Sequence, residues 1–427
     1  MNAAERSGGA RRPPWHVGGL ALAHTFRSLR HRDYRLLWLG MLASLTGYWV
    51  HFVAQGWLVY QLTGSAWLLG VVGAAGSVPS LLFALVGGVM ADKVDRRRLL
   101  IVTRLIYAAL ALVLTLLTAA GLITVWQLTL IAFLSGTVLA FDMPTRQALV
   151  PSLVPTDDLP NAVALFGMAF NGTRVIGPAI AGALLVSVGP TGGFALTVVG
   201  HLVMVVMLAQ MKATPVDALA PSVGMLRSLG EAFAYIWRTP RICGALLLAA
   251  ATSVLGMPYL TFLPVFAEAR LQVGAAGLGM LVTAVGVGAM SALLVLAAAR
   301  EIRHRGPLTL YGAGAFGLCV AAFAWSPSFA VSLALLALVG VMTSVSFSSV
   351  ATVLQGEVPD ALRGRVMSVY ILTWGLVPLG QLGLGAVAEQ FDVAVAVSVG
   401  GLACALLALA IWWRVPSLRS DAVPTTP

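Results

Sequence analysis

Gly87-Gly88-Val89-Met90-Ala91-Asp92-Lys93-Val94-Asp95-Arg96-Arg97-Arg98 sets six charges between two long apolar runs. Charge this dense is too costly to leave in hydrocarbon, so the stretch reads as a tight loop at a membrane surface. Asp92 stands where the preceding helix ends, and Gly88 has no side chain to keep two helices apart.

Outward from that loop the chain stays apolar. It has 427 residues, 59% of them hydrophobic and 10% charged, with a mean hydropathy of +0.92. That composition excludes a soluble multidomain protein and indicates a polytopic membrane protein. Apolar runs of about 20 residues recur, each long enough to cross a hydrocarbon core about 30 Å thick as a helix. They fall near Leu36 to Tyr60, Trp67 to Met90, Leu99 to Ala120, Thr124 to Phe141, Ala162 to Val188 and Thr191 to Met211. The second set lies near Ile242 to Phe266, Gly274 to Ala299, Pro307 to Trp325, Phe329 to Leu354, Val366 to Ala388 and Val393 to Trp413. The runs are continuous rather than alternating, so they read as an all-α bundle of twelve transmembrane helices and not as a barrel.

A formal charge of +10 could suit nucleic acid, but the basic residues sit in alternate membrane loops. Loops near Thr63, Leu122, Gly189 and Ser326 carry no charge, whereas Arg6 to Arg35, Lys93 to Arg98 and Lys212 to Arg241 are basic. The positive-inside rule then places both termini in the cytoplasm and the chain in a plasma membrane. Phe26 to Tyr34 is a basic lead-in expected to lie on the anionic inner leaflet. The first 35 residues lack the apolar core of a cleaved signal. Cys243, Cys319 and Cys404 stand singly in three spans, which suggests neither a disulfide framework nor a metal site.

The halves repeat. Val154-Pro155 matches Val358-Pro359, and with one deletion Leu159, Val163, Gly177 and Gly182 match Leu362, Val366, Gly380 and Gly385. The pattern G-x-x-x-D-[RK]-x-x-R-R-R from Gly88 to Arg98 resembles the cytoplasmic signature loop of the major facilitator superfamily, with Asp95 where that family usually has glycine. Asp142-x-Pro-x-Arg146, Leu159-Pro-Asn-Ala, Arg174-x-x-Gly-Pro and Leu362-Arg-Gly-Arg-Val-Met-Ser are similar to the bacterial drug-efflux and enterobactin-exporter branch. The resemblance implies two six-helix pseudo-repeats, residues 36–211 and 242–413, flanked by cytoplasmic segments 1–35 and 414–427 and joined by a linker, 212–241, with an amphipathic helix. It further implies a monomeric bacterial inner-membrane transporter that moves a small molecule across the bilayer, without a cofactor and driven by the proton gradient. In that family the loop is a latch that holds the cytoplasmic side closed: Gly88 lets helices approach, Asp92 caps the start of span 11, and Arg96 or Arg97 pairs with Asp142.

Substrate and coupling candidates lie inside the spans. Ser44, Tyr48, His51 and Gln55 recur at intervals of four, three and four, and so share one face of span 1. A polar stripe must face other helices or water, and the resemblance turns span 1 toward a central cavity. His51, with an unperturbed pKa of about 6.5, suits proton coupling or a neutral hydrogen-bonded role. Arg174 lies about 12 residues into span 5, roughly 18 Å deep at helical rise. Such a charge costs about 3 kcal/mol or more and reads either as an anion-attracting or gating residue or as a structural arginine. Ser344 and Ser348 open a second stripe with Thr352 and Gln355, and Tyr259 and Trp374 complete the set. His201 is in a scaffold span. Gly312-Ala-Gly-Ala-Phe-Gly317 fits a dinucleotide fingerprint but sits within span 9, and the Asn171-Gly-Thr173 sequon is buried in span 5. No phosphate loop, nucleophile triad or metal cluster stands out, so an enzyme is disfavoured. The expected function is proton-driven efflux of amphipathic small molecules, with an uptake symporter or a non-transporting membrane sensor or assembly protein as alternatives. Cysteines at Gly64 and Ser328 are expected to label from outside intact cells, and one at Ser222 only after permeabilisation; outside labelling of Ser222 would reverse the orientation.

Overall fold

Two-residue connections with strong stop signals let consecutive helices turn back at once. Gly64 ends the first helix at a left-handed φ of 61°, and Ser65 caps the next by accepting from the Leu68 N–H. Thr124 and Gln127 form a reciprocal capping box. Asp392 caps the last long helix through the Ala394 N–H. A computed structural model describes residues 25–212, 225–298 and 305–419; residues 213–224 of the expected linker and the side chain of Asp92 lie outside the described residues.

The membrane helices are α1 (Arg32–Thr63), α2 (Ala66–Lys93), α3 (Arg96–Ala119), α4 (Val125–Leu149), α5 (Leu159–Ser187) and α6 (Gly189–Ala209). The second six are α7 (Pro240–Arg270), α8 (Gly274–Ala298), α9 (Arg305–Ala324), α10 (Phe329–Glu357), α11 (Asp360–Gln390) and α12 (Val393–Arg414). All twelve are long and apolar enough to span a bilayer. Several outrun their apolar stretches: α1 begins at Arg32, α4 continues to Leu149 and α11 starts at Asp360. Hydropathy marks only the part in hydrocarbon, whereas the helix continues into the interface while its backbone bonds are met. An amphipathic helix, Met225–Arg238, precedes α7; Ala232 and Ile236 are buried on it, while Trp237 is 74% exposed.

Within the first six, α1 packs on α5 and α6, α2 on α4, and α3 on α6 and α4. The second six repeat the plan, with α8 on α10, and α9 on α10 and α12. Contact between the halves runs mainly through α2 with α11 and α5 with α8. It is concentrated toward the face opposite the termini, where Glu389 of α11 accepts from the Ser65 hydroxyl at 2.9 Å and the Trp67 N–H at 3.1 Å at the start of α2. A carboxylate on a helix N-terminus is favoured by the unpaired amides and the dipole there. α11 breaks after Trp374, with Pro378 opening its second stretch. The stretch on the opposite-face side packs against α2, and the stretch on the terminal side packs against α7, α10 and the amphipathic helix of its own half. α7 is interrupted by wide π turns at Thr252–Gly256 and Phe266–Arg270, next to Pro258 and Pro264, whose missing N–H groups disturb the regular ladder.

One expectation for the terminal face changes. The close helix approach falls on Gly87, where a Cβ would lie 2.4 Å from the Ala140 carbonyl of α4; at Gly88 it would meet nothing within 4 Å. Adjacent positions differ by about 100° around a helix, so only one of them can face α4. The basic lead-in is docked on protein. Arg27, Arg30 and His31 surround the fully buried Asp158 at 2.6, 2.8 and 2.7 Å, and Asn161 accepts from the Ser28 N–H at 2.9 Å. Glu389→Ala removes the exposed carboxylate bonded across the halves, worth about 0.3–1 kcal/mol at a helix N-terminus. The separation of spin labels at Gly64 and Gln390 is therefore expected to shift toward longer distances; an unchanged distribution would show that the bond does not hold this face shut.

Candidate functional site

Where the halves meet, a cavity of about 140 Å³ opens between α1, α2, α3, α4, α7, α8 and α11. Tyr48, His51 and Gln55 of the α1 stripe line it, with Tyr107, Thr261 and Gln381 contributed by α3, α7 and α11. His51 is 4% exposed. Its Nε2 lies 2.8 Å from Gln55 Oε1, so the Nε2–H donates and Nδ1 carries the lone pair. That Nδ1 is buried with no hydrogen-bond partner among the described residues. The ring is held edge-on by Phe194 at 5.3 Å and Tyr107 at 5.9 Å. Across the cavity Gln381 donates to Thr261 Oγ1 at 2.9 Å, and its own Oε1 is buried without a partner among the described residues. Ligand pockets commonly occupy about 300–1,000 Å³, so this wall has to open before it admits a drug-sized molecule.

Arg174 lies on the other side of α1. Residues 49 and 51 point about 200° apart on a helix, and the Arg174 guanidinium sits 5.7 Å over the Trp49 ring. Tyr48 and Tyr259 lie within electrostatic reach of it, and the Tyr259 hydroxyl is buried without a partner among the described residues. No carboxylate pairs with Arg174 among the described residues.

A second charged group fills the first half toward the terminal face. Asp142 is fully buried and is held by both Arg104 and Arg146, with the Thr103 hydroxyl donating to it at 3.3 Å. Arg104 also bonds His201 Nδ1 at 3.1 Å, and the His201 ring lies 4.3 Å from that of Tyr107. Asp142, Arg104, His201, Tyr107 and His51 thus form a continuous buried series from the terminal third of the bundle to the cavity wall.

Residues 23–427 match the family model described as transmembrane secretion effector. The chain belongs to that family of major facilitator transporters. The staphyloferrin A transporter of Staphylococcus aureus is 26% identical over 86% of this chain and 92% of its own. An enterobactin exporter of Escherichia coli is 26% identical over 80% and 81%. The multidrug efflux pump Tap of Mycolicibacterium fortuitum is 25% identical over 83% and 89%. Among solved structures, a D-xylose–proton symporter superposes with a TM-score of 0.72 at 14% identity, covering 91% of this chain and 98% of its own. The nucleoside transporter NupG superposes at 0.70 and 15%, covering 89% and 98%. These two establish the fold. The protein is a multi-pass membrane transporter and not an enzyme.

In this chain the latch differs from the family expectation. Asp142 pairs with Arg104 and Arg146 rather than with Arg96 or Arg97. Arg96 donates to the Ala148 carbonyl, and Arg97 to the Leu208 and Ala209 carbonyls at the end of α6. Asp142 sits too deep in α4 for the loop arginines, whereas Arg104 of α3 is 2% exposed and turns inward to it. Ser344 and Ser348 are half-buried on α10, and Trp374 stacks on Phe347 at 4.4 Å; none of the three lines the cavity. Sequence reasoning missed Thr261 and Gln381, isolated polar residues whose only signal was their setting beside prolines in broken helices. Asp142→Asn strands two buried cations and is expected to cost about 3–5 kcal/mol. Adding Arg104→Gln is expected to restore part of this in thermal unfolding of the purified protein. Strictly additive losses would mean that the two side chains are not coupled.

Proposed function

We propose that this transporter exports amphipathic small molecules by alternating access, in exchange for protons taken up at His51. The observation that carries the reading is His51: a buried imidazole on the cavity wall, its basic nitrogen unpartnered, at the junction of halves that touch mainly near one face. An imidazolium between Phe194 and Tyr107 is costly without water. Protonation therefore favours whichever conformation brings solvent to the cavity, and neutral His51 favours the closed wall. Proton occupancy thereby biases which face opens.

The efflux direction rests on the relatives, two of which are named as an exporter and an efflux pump. The termini are assigned to the cytoplasm of a bacterial inner membrane on the positive-inside rule, and the working unit is a single chain. On this assignment the present state is closed toward the outside. In the alternate state Gly88, now facing open space, is the surface available for α11 to approach.

The test is transport in proteoliposomes under an imposed pH gradient. His51→Gln keeps a hydrogen-bonding side chain but removes the protonatable ring nitrogen. It is expected to retain substrate exchange and to lose gradient-driven accumulation by tenfold or more. Unchanged gradient-driven transport would move the coupling site away from His51.

A further inference from the structure

Arg174 is 15 residues from the start of α5 and 13 from its end, so its charge stands near mid-membrane. Other deep arginines of the first half, Arg104 and Arg146, share the Asp142 carboxylate. Arg174 has neither an ion pair nor a hydrogen bond among the described residues. Its surroundings are the Trp49 face, two tyrosines within electrostatic reach, and the backbone of Gly286, whose Cβ would come within 2.7 Å of the Arg174 carbonyl. The contact with Gly286 pins α5 against α8, so the guanidinium is carried at the seam between the halves. Cation–π contact with Trp49 offsets only part of the cost of holding a charge at this depth.

We infer that Arg174, with the hydroxyls of Tyr48 and Tyr259, is an anion subsite that binds the carboxylate or similar oxyanion of an amphipathic substrate. A guanidinium presents a planar fork of donors that matches a carboxylate. Tyr259 is 1% exposed and its hydroxyl is without a partner among the described residues, leaving a donor beside that fork. Trp49 and Phe52, edge-on at 5.8 Å, offer aromatic surface for the apolar part of the same molecule. Tyr48 of this subsite also lines the cavity that carries His51, while the guanidinium approaches α1 from the Trp49 side, so a proton at His51 and an anion at Arg174 act on the same helix. This inference names the substrate class of the proposed transporter and rests on that reading.

The test compares naphthalene-2-carboxylate with its isosteric amide and with naphthalen-2-ylmethylammonium. Binding to the purified full chain is measured by equilibrium dialysis, and counterflow in proteoliposomes is measured separately. The wild type is expected to bind the carboxylate at least about tenfold more tightly than the amide, as for a charge-assisted bond, and to exclude the ammonium. Arg174→Gln is expected to abolish the preference and Arg174→Lys to keep part of it. If Arg174→Gln does not fold, Tyr259→Phe removes only a hydroxyl and is expected to weaken the carboxylate severalfold while leaving the amide unchanged. Equal binding of acid and amide by the wild type, or a preference that survives both Arg174→Gln and Tyr259→Phe, overturns the subsite. Carboxylate binding at Arg174 without counterflow of any probe would sink the transport reading and leave the subsite standing. Counterflow of amide and ammonium as fast as carboxylate would do the reverse.

Discussion

Lipid offers helices no hydrophobic reason to associate, because a neighbouring acyl chain is as apolar as a neighbouring leucine. What holds this bundle is close backbone approach at small residues, supplemented by polar bonds. A Cβ on Gly136 of α4 would lie 2.1 Å from the Gly76 carbonyl of α2, and one on Gly340 of α10 would lie 2.1 Å from the Val285 carbonyl of α8. These two contacts are equivalents in the pseudo-repeat, so each half is clamped in the same way. The seam between halves uses the same device where Gly279 meets Gly182. Everything polar in the interior is positioned by those approaches.

The buried charges follow a second constraint. Asp142 between two arginines leaves one excess positive charge in that group, and Arg104 donates an N–H to the Nδ1 lone pair of His201. The group is rigid because each member is fixed by another, and its last ring, Tyr107, is part of the cavity wall. The first half therefore presents His51 on a fixed backing. The second half supplies Thr261 and Gln381 from helices broken at prolines. One wall is stiff and the other is jointed, which suits a site whose volume has to change.

The twelve spans were legible because a bilayer imposes one length and one polarity on every helix, and hydropathy reads both. The α1 stripe was legible for the same reason: polar residues at helical spacing have nowhere to face but inward. What stayed hidden was pairing. Nothing in α3 alone says that Arg104 turns toward Asp142 rather than out to water, since that depends on how α3 and α4 are rotated against each other. Gly87 and Gly88 are indistinguishable in sequence, and only the position of α4 separates them. Ser344 and Ser348 have the same spacing signal as the α1 stripe, yet α10 turns them away from the cavity, so periodicity identified a polar face without saying what it meets.

Glu389 closes one face with a bond that stands at the rim rather than in the interior. Attractions between a helix end and an exposed carboxylate are screened by dissolved salt, with a Debye length falling from about 10 Å at 0.1 M to about 3 Å at 1 M. The buried arginine pairs on Asp142 lie out of reach of that screening. The balance between open and closed forms is thus set partly by the medium outside the membrane. The same molecule rests more tightly shut in dilute surroundings than in brine.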